Sequence, residues 1–525
     1  MQKQNGVRAA LRGKRVAVAV AAAFVPLGEA YSLPTGENLV HGDVQVTRPT
    51  AQMMQINQGT QKGIVNWQGF SIGGSEHVNI TQPSSSASLL NRVVGNDPSN
   101  IFGRLTANGQ VFLVNNAGVF FAPGASVNAA AIVASTLSIT DQNFLDNTYQ
   151  FFNPGNAGSV ANQGSIVTAG GFTALIGPQV RNDGIILANS GKIALGAGNR
   201  VSLDMIGDGL VSISVDEAAF NASVINTGTL QADGGTVMLK ASSANALLDT
   251  VINTSGLVRA NSLIAVNGEI ILDGGGAVQV AGTVEAIGGA INVSADSSLN
   301  VGSTVCCTPT QVTAGTQTIE AGSITVGGGA SVTTTSGSQT VTTPGTLLVR
   351  GGVLSGGVGL FHNGSGEQRI TAANLELRGG SGTNTGAFIN SQGGGDQTLT
   401  VTGELRVTGG ASGIGNRAGI VSTGNQTING NPDIVLTGGA GGGAGNNSNN
   451  VFIQATGPDT TQQTINARTI QINAGAGTDA SATINAARQV ISTLGNVSLF
   501  GGGGLGGASN GARIGGIGGT TLGPT

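Results

Sequence analysis

The side chains best placed to do chemistry are carboxylates: Asp204, Asp208, Asp216 and Glu217 form the densest set in the chain. Carboxylates gathered on one face would bind calcium, or serve as the acid and base of a polysaccharide-cleaving enzyme. The next acids along, Asp233, Asp249 and Asp273, come from separate turn sequences, so the set reads as solvated corners. Cys306 and Cys307 are the only cysteines and are adjacent, and His41, His77 and His362 are the only histidines. Zinc takes four clustered ligands, which these do not offer. The Gly run at 501–504 lacks the Lys-Ser or Lys-Thr of a phosphate loop, and no Gly-Gly-x-Gly-x-Asp calcium array occurs. The expectation is no catalytic residue, no metal and no cofactor, hence not an enzyme.

What must position these side chains follows from composition. The chain has 525 residues, 90 of them Gly, with 9% charged and 3% aromatic residues. Mean hydropathy is +0.16. Disorder goes with low hydrophobicity and high net charge, and collagen needs a strict three-residue Gly period; neither fits. A thin core of Val, Ile, Leu and Ala is expected. At the N-terminus, bases within 8–15 precede an apolar run at 16–25, then Pro26 and a small-residue site ending at Ala30. That is the pattern of a cleaved secretory signal over residues 1–30, since ten apolar residues are too few to span a bilayer. The remainder holds 17 bases against 25 acids, net −8, a surface that repels nucleic acid.

Repeats set the architecture. A Gln-polar-aliphatic element recurs at Gln317, Gln339, Gln368, Gln397, Gln426 and Gln463, more loosely at Gln489. Eight or nine residues after each comes an aliphatic-x-aliphatic triplet, such as Ile324-Thr-Val326, Leu375-Glu-Leu377 and Leu405-Arg-Val407. Alternation puts both aliphatics of a triplet on one face and the polar residue on the other. A Val-x-Asn-x-Gly element begins at Val160, Val180 and Val224, with a one-residue variant at Val251. Its Asn side chains suit a hydrogen-bonded ladder. Short strands separated by Gly-rich corners describe an all-β fold, a right-handed parallel β-helix. Glycine suits the corners because it accepts positive φ. At roughly 24 residues per coil, ~20 coils would give a rod of ~100 Å.

Residues 62–145 do not repeat. They carry Trp67-Gln-Gly-Phe70, Asn91-Arg92-Val93, Gln110-Val-Phe-Leu-Val114 and Asn115-Asn116-Ala117-Gly118. This stretch resembles the N-terminal secretion domain of the filamentous haemagglutinin family, the exported partner in two-partner secretion. Asn91, Arg92 and Val93 match the family's Asn-Arg-Val motif. Asn115 and Gly118 match the ends of its Asn-Pro-Asn-Gly motif, from which Asn116 and Ala117 depart. The resemblance implies recognition of these residues by an outer-membrane barrel transporter. The aromatic residues Trp67, Phe70, Phe102, Phe112, Phe120 and Phe121 are expected to form a non-repeating N-terminal cap, protecting strand edges that would otherwise aggregate.

The expected organisation is a signal peptide (1–30), a secretion domain capping the helix (31–150), coils with Asn-x-Gly turns (151–310), coils with the Gln-Thr-Ile element (311–500) and a Gly-rich tail (501–525). The resemblance implies a protein secreted through the periplasm to the extracellular medium or cell surface of a Gram-negative bacterium. The expected function is adhesion by multivalent contacts with a host-cell glycan or protein receptor. Alternatives are a self-associating matrix protein and the stalk of a contact-dependent toxin.

Overall fold

A computed structural model describes residues 33–516, apart from 169, 207–208, 245–249, 264–266, 304–308, 354–355, 444–447 and 503–510. The expectations for the signal peptide and Ala30, for Cys306 and Cys307, for Asp208 and for most of the Gly-rich tail lie outside the described residues.

The chain forms a parallel β-helix whose coils each contribute three strands. The first face stacks Val119–Phe121, Ser159–Asn162, Gln179–Asn182 and Ser223–Asn226 in parallel. The second stacks Ser126–Asn128, Ser165–Val167, Ile185–Leu187 and Thr229–Gln231. The third stacks Lys62–Trp67, Ser88–Val93, Gln110–Val114, Ala131–Ser135, Phe172–Gly177, Lys192–Ala197 and Thr236–Ser242. Inward aliphatics of all three faces merge into one continuous core. Fully burying a Val, Leu or Ile contributes roughly 1.5–3 kcal/mol, but only once a neighbouring coil covers it, so stability comes from stacking.

The repeat registers are as spaced in the sequence. Gln317 pairs with Gln339, then Gln368, Gln397, Gln426, Gln463 and Gln489 on successive coils. The amides point inward and form one unbroken ladder. Each Nε2–H donates to the Oε1 of the preceding Gln, at 2.9 Å for Gln339 and 2.6–2.7 Å for the five that follow. Because the amides are hydrogen-bonded to one another, the cost of taking them out of water is offset. The triplets are likewise in register from Ile324 through Leu347, Leu375, Leu405, Ile434 and Ile470 to Val497.

The two repeat elements occupy different faces, and three expectations need correction. The Val-x-Asn-x-Gly element lies on the first face, in the column the triplets continue, whereas the Gln element lies on the third. The variant at Val251 has no insertion: Ile252 takes the Val position and Thr254 the Asn position, opposite Asn226. The Asn ladder therefore runs Asn162, Asn182, Asn226 and ends on the Thr254 hydroxyl at 3.3 Å. Corner glycines such as Gly170, Gly234 and Gly288 do take positive φ, but glycine at the Asn-x-Gly corner answers to close approach: a Cβ on Gly184 would lie 2.2 Å from the Gly164 carbonyl oxygen, and one on Gly228 2.1 Å from that of Gly184. Finally, the third face can be followed rung by rung from Ile64 to Val490 over sixteen coils, about 70 Å at the usual strand spacing. It is shorter than expected because residues 136–158 and 198–222 lie largely outside the spiral.

Those two insertions build an outer layer. The helix Asp141–Leu145 and a three-stranded antiparallel sheet of Tyr149–Phe152, Arg200–Ile206 and Gly209–Glu217 pack on the outside of the third face. Tyr149–Phe152 straddles the boundary expected at 150. The N-terminal end is closed by antiparallel strands, Asn38–His41 on Lys62–Trp67 and Val44–Thr50 on Met53–Gln58. Of the six aromatics expected in the cap, Trp67, Phe70 and Phe121 are in the inner core. Phe112 points outward beneath the outer layer, stacked on Tyr149 at 5.4 Å, and Phe102 and Phe120 pack edge to face, half-buried.

Candidate functional site

The residues singled out for transporter recognition sit on adjacent coils, because Asn91 pairs with Leu113 and Arg92 with Val114, the residue before Asn115. Alternation along Ser88–Val93 sends Asn91 and Val93 inward and Arg92 outward. Asn91 is fully buried; its Oδ1 accepts from the Trp67 indole N–H at 3.1 Å, and its Nδ2 faces the Phe112 carbonyl at 3.4 Å. Val93 is core. Neither side chain is available to a partner once the coil has formed.

Arg92 reaches the outer layer. Nη2 donates to the Ile139 carbonyl at 2.8 Å, and Nη1 lies 2.6 Å from the Asp141 carboxylate at the start of the helix Asp141–Leu145. Thr140 caps that helix by accepting from the Asn143 N–H. At its other end Lys62, from the coil preceding that of Arg92, donates to the carbonyls of Phe144 (2.5 Å) and Leu145 (3.2 Å) and to Asn147 Oδ1 (2.7 Å). Its ammonium also lies 5.0 Å from the Phe144 ring and 5.5 Å from that of Tyr149. Burial lowers the Lys62 pKa, partly opposed by Asp146. A cation is favourable at a helix C-terminus. Two cations on neighbouring rungs thus hold both ends of one short helix.

The Asn115–Gly118 segment is a corner between the third and first faces. Asn115 is buried: Nδ2 donates to the Asp97 carbonyl at 2.9 Å and the Ser99 hydroxyl at 3.0 Å, and Oδ1 accepts from the Ala117 N–H. Gly118 has φ +144°. Asn116, where the family motif has Pro, donates to the Thr136 carbonyl at 2.6 Å and accepts from the Ser138 hydroxyl. The corner is therefore held to the next coil by an amide instead of a rigid ring, and Ala117 is its exposed residue.

The carboxylates are dispersed. Asp204, Asp216 and Glu217 are exposed on the outer sheet; Asp216 accepts from Ser202 and Ser214, and Glu217 lies 3.6 Å from Arg200. Among the described residues no three His, Cys, Asp or Glu gather as a metal site. His41 is exposed, His77 bonds Thr106, and His362 is buried between the Ser391 hydroxyl and the Gly337 carbonyl. Sequence reading missed Lys62, the bridging role of Asn116 and the outer layer. One signal was present, that the third face is covered: Leu89-Leu90 and Val111-Phe-Leu-Val114 are apolar on both faces, as strands covered on both sides must be, which does not say what covers them.

A family model described as the TPS secretion domain matches residues 30–286. Two relatives from Haemophilus influenzae, each named heme/hemopexin-binding protein, are similar. One is 31% identical over 251 residues, covering 46% of this chain and 27% of the relative; the other is 28% identical over 271 residues, covering 47% and 29%. The chain thus spans less than a third of their length. A solved structure, the HMW1 secretion domain from Haemophilus influenzae, aligns with TM-score 0.42 at 18% identity, covering 89% of this chain and 100% of that one. The match takes in the Asn-Arg-Val strand, the corner at Asn115 and the outer layer together, so residues 30–286 of this chain are similar throughout to the secretion domain of the exported proteins of two-partner secretion.

Proposed function

We propose that the chain is delivered to the periplasm by residues 1–30, crosses the outer membrane through a partner barrel transporter, and works at the cell surface or beyond as an adhesin. The observation that carries this reading is the secretion domain itself, joined without a break to a rod whose coils contact only their neighbours. Such a rod can leave a pore unfolded and form coil by coil outside. Burial of Asn91 and Asn115 supports recognition of the unfolded or part-folded segment; of the motif positions, Arg92, Asn116 and Ala117 stay near the surface. The dispersed, satisfied carboxylates favour binding over catalysis.

The test is to express the chain with and without its transporter and locate it. Secretion only with the transporter, and adhesion of secreting cells to host cells that the purified chain competes away, is the expected result. Secretion without a transporter, or adhesion unchanged by deletion of the chain, would refute it. One feature favours a second reading, binding of a haem-class ligand such as the relatives' names describe for those proteins. A groove of about 710 Å³ beside the outer sheet presents Phe152, Arg200 and the largely exposed Phe220. Titration with hemin would give a shifted Soret band that Phe220→Ser removes.

A further inference from the structure

The outward column of the third face changes character along the rod. From Ile64 to Met238 it is apolar and covered by the outer layer. Beyond Ile271 the cover ends, and the column continues as Asn292, Thr318, Thr340, Arg369, Thr398, Thr427 and Thr464. A second rank, two residues further along each strand, holds Thr342, Thr371, Thr400 and Asn429. Same-face residues two apart lie about 6.6 Å from one another and successive rungs about 4.8 Å. The result is a two-dimensional grid of hydroxyls and amides.

Three properties make the grid a binding surface. The hydroxyls of Thr340, Thr342, Thr371, Thr398, Thr400 and Thr427 are half-exposed and make no hydrogen bond within the described molecule. The grid is stiff, because the glutamine preceding each first-rank residue from Thr318 to Thr464 is locked into the inward ladder. It carries no unpaired base, because its one base, Arg369, is bonded to Glu367 at 2.5 Å, and its remaining charge is the acid Glu320, on a chain that is itself net acidic. Where the outer layer stops, a depression of about 300 Å³ lined by Asp273, Asn292, Ser294, Thr318 and Glu320 opens at the head of the grid. It sets carboxylate, amide and hydroxyl groups around an apolar floor that includes Ile271 and Val293.

We propose that this face binds an uncharged glycan chain laid along the rod, its sugar hydroxyls bonding from rung to rung and one end seated in the depression. The charge pattern selects the ligand: an anionic polymer would face the net-acidic chain, whereas a neutral polyol matches alternating donors and acceptors. The proposal deepens the adhesin reading by giving it a site.

Binding of cellohexaose and xylohexaose to the folded full chain, with hexagalacturonate as the charged counterpart, is measured by calorimetry. At least one neutral hexaose is expected to bind, and Thr398→Ala with Thr427→Ala to weaken it roughly tenfold or more, since two hydrogen bonds are lost. The denaturation midpoint should not move, because those hydroxyls bond nothing in the protein. Thr325→Ala with Thr483→Ala, on the other two faces, should leave affinity unchanged. No binding of either neutral hexaose at millimolar concentration, equal loss in both double variants, or preference for hexagalacturonate would overturn the proposal. So would shaping of ice crystals without glycan binding, which would make ordered water the occupant. The assay is independent of export and of cell adhesion, so failure there leaves this result standing, and the reverse.

Discussion

Two stretches of one spiral, residues 62–275 and 290–493, share the same third face but are stabilised differently. In the first, the face is apolar inside and out, and the outer layer binds distant coils together: Lys62 meets residues 82–85 positions away, and Arg92 meets Ile139. In the second, the inward position held by Val111, Ile193, Val237 and Ile291 passes to glutamine at Gln317, and every ladder bond joins adjacent coils only. Contacts that skip coils make a solenoid cooperative, whereas nearest-neighbour contacts leave each interface to open by itself. The secretion half should behave as one folding unit, and the glutamine half as a stack.

The strongest test removes the centre of the outer layer. Phe112 is fully buried between Phe144 (5.3 Å) and Tyr149 (5.4 Å). Phe112→Ala should cost about 3–5 kcal/mol. Amide exchange should then accelerate together in strands from Lys62–Trp67 to Thr236–Ser242, with little change beyond 290. Acceleration confined to the coils touching residue 112 would erase the contrast between the halves. The counterpart in the other half is Gln397→Ala, which orphans the Gln368 Oε1 and one Gln426 N–H. Each orphaned buried group costs roughly 1–3 kcal/mol, and faster exchange should stay within the coils of Gln368, Gln397 and Gln426. Spread of that effect into the secretion half would show a coupling the ladder does not provide.

The difference between the halves also decided what the sequence could reveal. In the glutamine half, gaps of 22, 29, 29, 29, 37 and 26 residues bring every Gln into register, because one coil is one repeat. At Val251 the same logic slipped a frame, since Val251 and Ile252 both fit the aliphatic position and only the inward turn of Thr254 separates them. The outer layer was not legible, because residues 136–158 and 198–222 repeat nothing and their pairing joins segments some fifty residues apart. For the candidate site, the motif residues were found but not their direction. An Asn beside an Arg gives no hint which one faces inward until the strand's phase is fixed by Leu89 and Val93.

A smaller effect is expected at the clamp. Lys62→Ala withdraws donors from two helix carbonyls and from Asn147, a loss of about 1.5–3 kcal/mol for bonds to a charged group. It should loosen the helix Asp141–Leu145 and the adjoining Tyr149–Phe152 strand before the rest of the half. Protease cleavage within 139–148, rising well above that of Lys240→Ala in the column of Arg92 on the same face, would show it. Equal cleavage of the two variants would mean the helix is held by its apolar contacts alone.

The weakest handle is acid. In the secretion half Asp233 joins coils: it accepts from the Arg259 guanidinium at 2.8 Å and the Asn261 N–H at 3.0 Å, with Gln231 alongside. Burial by itself would raise its pKa, but these bonds outweigh burial and lower it. In the glutamine half, the pairs Glu367 with Arg369, Glu376 with Arg378 and Glu404 with Arg406 lie within single coils, and among the described pairs of that half Asp433 with Arg468 alone joins two coils. A carboxyl with a lowered folded pKa adds stability that is complete above its unfolded value, about 3.9, and is lost as pH falls through the folded one. Lowering the pH from 6 to 3 should therefore destabilise the coils around Asp233, by less than about 1 kcal/mol for a partly exposed pair. Asp233→Asn should flatten that dependence. An acid response left unchanged by Asp233→Asn would show that this pair does not support stacking, and the two halves would differ less in their electrostatics than in their cores.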